Sequence, residues 1–132
     1  MNVAWLLAGV MCCVMGIVHM MGGEYTLKHI KTDAFPNIPN GDSSIAKEEI
    51  RFGWHMVTVN LVFSGVVLLL LALTNTTEAS LLVRFIAAGY GIYAILIFSL
   101  PLFALKQVHT LYRLPQWLLC VIVAGLLVIG LP

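Results

Sequence analysis

Four apolar runs, each close to the length that a helix needs to cross a lipid bilayer, dominate the sequence. The hydrocarbon core of a bilayer is about 30 Å thick, so an α-helix crosses it in about 20 residues. The runs cover residues 3–22, 51–74, 79–105 and 115–131. Hydrocarbon offers no partners for backbone N–H and C=O groups, which an α-helix pairs internally. We therefore predict an all-α integral membrane protein, an antiparallel bundle of four transmembrane helices in a single domain spanning residues 1–132.

The composition agrees with this class of protein. Hydrophobic residues make up 61% of the chain and charged residues only 10%, against about 25% charged residues in soluble globular proteins. The formal net charge of +1 creates no strong basic or acidic field, so we expect no nucleic acid partner. The expected partners are the lipid bilayer and either other membrane subunits or a second copy of the chain.

Lysine and arginine are unevenly distributed between the two ends of the predicted spans. Six of the seven lie in or beside the segments 23–50 and 106–114: Lys28, Lys31, Lys47, Arg51, Lys106 and Arg113. Cytoplasmic loops of membrane proteins are enriched in these residues. We therefore expect a multi-pass protein of the cell membrane, with loops 23–50 and 106–114 in the cytoplasm and both termini outside.

Small residues indicate which helix faces pack together. Gly9, Cys13 and Gly16 form a stripe on the first span, and small residues in membrane helices allow backbones to approach closely. Gly22 and Gly23 follow at the end of this run, and we expect this glycine pair to end the first helix.

Two histidines lie at the same predicted depth near the cytoplasmic side. His19 is about three residues, roughly 5 Å, inside the end of the first span, and His55 is about four residues, roughly 6 Å, inside the start of the second. Ionisable groups within a span are costly and usually face the bundle interior or water, which makes them candidates for a functional site. The alternative is that both histidines merely lie at the interface, where polar groups are tolerated.

Charged residues complete this cluster. Glu48, Arg51 and His55 are spaced i, i+3 and i+7, so they share one face of the second helix. Glu24 follows the glycine pair and can fold back toward the histidine before it. We therefore predict a ligand-binding site formed by His19, Glu24, Glu48, Arg51 and His55.

A metal or haem site is a second interpretation of the same cluster. Neutral imidazole is the commonest metal ligand, so His19 and His55 are candidate ligands of haem or a transition metal. Cys12, Cys13 and Cys120 lack zinc-type spacing, and we expect these cysteines to pack as small hydrophobic side chains.

No sequence motif identifies the function of this chain. The chain has no nucleophile elbow, glycine-rich phosphate loop or HExxH sequence. We predict a small polytopic membrane protein that binds a ligand or assembles with other membrane proteins. A redox or metal-dependent membrane enzyme using His19 and His55 is the first alternative, and a small-molecule transporter is the second.

Deeper in the spans, Tyr90 and Tyr93 are able either to hydrogen-bond across the bundle or only to pack.

The predicted topology is testable by labelling single cysteines with a membrane-impermeant maleimide. We expect Asn40→Cys and Thr110→Cys to react only from the cytoplasmic side and Thr76→Cys to react only from outside, because lysine and arginine mark the cytoplasmic loops. Wild-type protein measures the background from the native cysteines. The reverse pattern would contradict the predicted orientation.

Overall fold

The computed structural model describes residues 1–30, 43–74, 79–99, 102–103 and 116–132. These residues form four α-helices: α1 (Val3–His29), α2 (Ser43–Thr74), α3 (Ser80–Ser99) and α4 (Gln116–Ile129). The prediction of an all-helical protein is therefore confirmed for this part of the chain. Residues 31–42 of the predicted loop 23–50, the turn that contains Thr76, and the predicted loop 106–114 lie outside the described residues.

Three of the helices are long and apolar enough to cross a membrane. They are α1 with 27 residues, the segment of α2 from Ile45 with 30 residues, and α3 with 20 residues. At 1.5 Å per residue these lengths correspond to about 40, 45 and 30 Å. The fourth helix, α4, is also apolar but has only 14 residues.

The first helix does not end at its glycine pair, and the prediction that it would is wrong. α1 continues to His29. Gly23 is buried against Trp54, and a Cβ atom at this position would collide with the indole ring. The missing side chain therefore allows close packing rather than ending the helix, and Glu24 lies on α1 beside α2 instead of in a loop.

The most extensive helix–helix contact joins α1 to α2. A Cβ atom at Gly65 would lie 2.9 Å from the backbone oxygen of Gly9 and 2.5 Å from Cys13 Sγ. A Cβ atom at Gly16 would lie 2.6 Å from Val62 Cγ2. The predicted stripe of small residues on α1 thus faces α2, where it lets the two backbones approach.

The four helices are neighbours in the order α2, α1, α4, α3. α4 packs against both α1 and α3, whereas α2 contacts α3 far less than it contacts α1. Side chains from all four helices that have no exposed surface lie at the centre of these contacts: Cys12, Leu68, Val83, Val123 and Leu127. In the described part of the chain, a cleft therefore separates α2 from α3.

One residue joins three helices at the end of the molecule opposite Glu24. Asn2 caps α1, because its side-chain oxygen accepts a hydrogen bond from the backbone N–H of Trp5 at 3.2 Å. Its amide nitrogen donates to the backbone oxygen of Gly130 at 2.6 Å, and its backbone N–H donates to that of Ala72 at 2.9 Å. These bonds satisfy backbone groups that helix ends leave without intrahelical partners.

Gly65→Ala tests the α1–α2 contact against Gly53→Ala, a control in the same helix with no heavy atom within 4 Å of the added Cβ. Alanine is favoured over glycine in a helix by about 1 kcal/mol, so we expect the control to be neutral or stabilising. At Gly65 we expect a net loss of about 1–3 kcal/mol, the usual range for overpacking. Unfolding by SDS in detergent micelles, followed by circular dichroism, measures both. Equal stability of the two variants would contradict the close contact.

Candidate functional site

Four of the five predicted site residues lie together between α1 and α2. Glu24 Oε1 is 3.0 Å from His55 Nε2 and 3.3 Å from Arg51 Nε. Arg51 Nη1 donates to both carboxylate oxygens of Glu48, at 2.6 and 2.8 Å. The 3.3 Å contact is an ion pair without hydrogen-bond geometry, since Arg51 Nε has no hydrogen-bond partner among the described residues. Glu24 on α1 is thus held between two side chains of α2.

This charged cluster connects the helices, but its side chains are partly exposed. The side chains of Arg51, Glu24 and Glu48 are 33%, 37% and 63% exposed. Ion pairs at such positions contribute about 0.2–1 kcal/mol to stability, because water screens them and side-chain freedom is lost. The cluster therefore links α1 to α2 but contributes little to the stability of the fold.

The fifth predicted residue, His19, belongs to a separate group. His19 Nδ1 lies 3.0 Å from Thr58 Oγ1, and Thr58 is buried. The imidazole stacks on the indole of Trp54, with 4.7 Å between ring centroids and 24° between ring planes. Trp54 Nε1 also donates to the backbone oxygen of His19 at 2.7 Å. Within the described residues no hydrogen bond joins His19 to His55.

The metal interpretation depends on how these side chains are placed. Where the structure describes the chain, no three side chains of His, Cys, Asp or Glu lie close enough together to hold a metal ion. One ring nitrogen of His19 contacts Thr58, and one ring nitrogen of His55 contacts Glu24. A metal or haem bound by these two histidines stays a prediction.

His19 also lines a cavity of about 300 Å³ between the helices. Every helix contributes to its wall, with Met15 and His19 from α1, Val57, Asn60 and Leu61 from α2, Tyr90, Tyr93 and Ile97 from α3, and Gln116 and Cys120 from α4. An apolar wall with a few polar groups is typical of small-molecule sites. None of these lining residues is an aspartate, glutamate, lysine or arginine.

A hydrogen bond crosses the cleft beside this cavity. Asn60 Nδ2 on α2 donates to the hydroxyl oxygen of Tyr93 on α3 at 3.0 Å. Of the two roles that the sequence left open for these tyrosines, Tyr93 thus takes the one of hydrogen-bonding to another helix. The hydroxyl of Tyr90 is buried deeper and has no hydrogen-bond partner in the described part of the protein.

The sequence analysis did not identify Trp54, Thr58 or Gln116 as site residues. Trp54 and Thr58 contact His19, and Gln116 lines the same cavity. Thr58 follows Trp54 by four residues, so the two share a face of α2. This spacing is the sequence feature that could have placed them in one group. Trp54 lies at the end of a predicted span, a position typical of a ring among lipid headgroups. That position therefore gave no indication that Trp54 stacks on His19. Nothing in the sequence brings Gln116 close to these residues.

Comparisons with models of protein families, with curated proteins and with solved structures found no match to this chain.

Double-mutant cycles test whether the charged cluster and the His19 group are separate. We expect Glu24→Gln and His55→Gln to be non-additive by about 0.5–1 kcal/mol, the upper part of the range for partly exposed ion pairs, because the two side chains are in contact. Glu24→Gln and Thr58→Val share no partner, and their effects should add within about 0.5 kcal/mol. SDS unfolding of each single and double variant measures the coupling. Strong coupling in the second pair would mean that one site includes both groups.

Proposed function

We propose that this chain is a multi-pass membrane protein that binds a small uncharged molecule in the cavity between its helices. The observation that carries the proposal is the cavity itself, which receives side chains from all four helices and has an apolar wall with few polar groups. Such a site fits ligand binding, the non-catalytic role expected from the sequence.

Several features support membrane insertion with four crossings. Three helices have the length and apolar composition of spans, and α4 is a shorter apolar helix. Asn2 at the start of α1 contacts Ala72 near the end of α2, while Gly23 near the end of α1 packs on Trp54 near the start of α2. These contacts support an antiparallel arrangement. The lysine and arginine distribution supports cytoplasmic loops and external termini.

The cavity favours an uncharged ligand. Moving an ion out of water costs several kcal/mol unless an opposite charge or sufficient hydrogen bonds compensate. The lining residues in the described part of the chain include no side chain with a permanent charge. A volume of about 300 Å³ lies at the lower end of the range for ligand pockets. We therefore propose a molecule with one ring or a short chain, rather than a macrocycle such as haem.

The cleft between α2 and α3 provides a route from the membrane. Asn60 and Tyr93 line both the cavity and neighbouring hollows on this side, and both are exposed there. Polar side chains facing hydrocarbon are costly. A ligand that enters from the bilayer and meets these groups with its polar end would lower this cost.

Photolabelling in lipid nanodiscs tests the cavity. The probe is phenyl(trifluoromethyl)diazirine, which is small, uncharged and apolar. We expect saturable labelling of peptides that line the cavity. Val57→Trp should reduce it severalfold, because Val57 lines the cavity and is 49% exposed, so a larger side chain fills free space. Val66→Trp is the matched control, since Val66 is a 45% exposed valine of α2 outside the cavity wall.

Labelling that does not saturate, or that falls equally in both variants, would overturn the proposal. Cross-linking of Asn60→Cys to a second copy in the same nanodiscs, without saturable labelling, would favour assembly through the cleft instead.

A further inference from the structure

The hydrogen bonds around Thr58 determine which nitrogen of His19 carries its proton. A threonine hydroxyl has one hydrogen to donate and two lone pairs to accept with. Thr58 Oγ1 lies 3.2 Å from the backbone oxygen of Trp54 and donates to it, the i to i−4 bond that threonine commonly makes in helices. Toward His19 the same hydroxyl therefore accepts, so the hydrogen lies on His19 Nδ1. This tautomer is assigned from the hydrogen-bond pattern.

The other ring nitrogen of His19 is then an unprotonated acceptor. His19 Nε2 has no hydrogen-bond partner among the described residues, and His19 belongs to the cavity wall. Stacking on Trp54 and the bond from Trp54 Nε1 to the backbone oxygen of His19 hold the imidazole in place. His19 thus offers an unprotonated ring nitrogen on a side chain of the cavity wall whose orientation is fixed.

A donor is available on the other side of the cleft. The hydroxyl oxygen of Tyr93 accepts from Asn60 Nδ2, which leaves the Tyr93 hydrogen free to donate. The cavity therefore combines an acceptor on α1 with a donor on α3, in a wall that is otherwise mainly apolar.

We propose that the cavity recognises an uncharged molecule with a hydroxyl group on an apolar body, such as a phenol, a hydroquinone or an alcohol. Its hydroxyl donates to His19 Nε2, and Tyr93 provides a donor for an acceptor group of the ligand. Amines and carboxylic acids also have N–H or O–H groups, but both are charged near neutral pH and find no permanent counter-charge among the described residues of the wall. Thr58 is a positioning residue that acts through His19. This inference rests on the proposed ligand-binding function.

The experiment compares two probes that differ by one hydrogen-bond donor, 4-butylphenol and 4-butylanisole. Each competes with the photolabel in nanodiscs, and its concentration in the lipid phase is measured, because the ether partitions more strongly into lipid. We expect the phenol to compete about twofold to twelvefold better, the factor that corresponds to one net hydrogen bond of about 0.5–1.5 kcal/mol.

Two variants connect this preference to His19. His19→Phe keeps a ring that can stack on Trp54 but removes the acceptor, so the preference should fall to about one. Thr58→Val removes the group that holds the tautomer and should reduce or reverse the preference. If either variant fails to fold by circular dichroism, ¹⁵N NMR of histidine-labelled wild-type protein still decides: we expect a neutral His19 protonated on Nδ1.

Each failure has a distinct meaning. Equal competition by both probes would overturn the hydroxyl preference and leave the ligand cavity standing. Stronger competition by the ether, or His19 protonated on Nε2, would mean the opposite tautomer and would also overturn this inference. Failure of both probes to displace a saturable label would overturn it too, whereas the absence of a saturable label would overturn the proposed function itself.

Discussion

Glycine brings the backbones of α1 and α2 together, and the position of every site residue on these helices depends on that approach. Gly9 and Gly65 face each other, so that an added Cβ would meet backbone atoms of the opposite helix. Further along, Gly23 leaves room for the indole of Trp54. Because Trp54 lies against α1, its ring stacks on His19. A wider spacing would separate the two side chains and remove the support of the imidazole.

Local spacing allowed part of the site to be predicted from the sequence. Glu48, Arg51 and His55 share a face in any regular helix. Glu24 was also predicted to belong to the site, but near His19, and it lies against Arg51 and His55 instead. The depth of His19 could also be counted along its span. The rotation of α1 about its axis could not be predicted in this way. Counting residues along a span gives the depth of a side chain, but not the neighbouring helix that it faces. His19 consequently reaches Thr58 rather than His55.

The order of the helices is the part that the sequence did not reveal. In a membrane, apolar surface alone gives helices no reason to associate, and close packing selects the neighbours. Ala87 and Gly91 on α3 resemble the stripe on α1, yet Gly91 has no heavy atom within 4 Å of an added Cβ. Trp5 lies near a span end, where tryptophan commonly meets headgroups, but only 3% of it is exposed. The cleft between α2 and α3 follows from the helix order, because α3 packs against α4 rather than against α2.

The neighbour order also affects how the chain assembles during synthesis. α1 and α2 are adjacent in sequence and share the most extensive contact, so both helices of this pair are translated before α3 and α4. At about 5–20 residues per second, the ribosome needs on the order of several seconds to reach the end of α4. For that interval, the face of α1 that later packs against α4 lacks this partner. The cavity wall is therefore completed by the last helix to arrive.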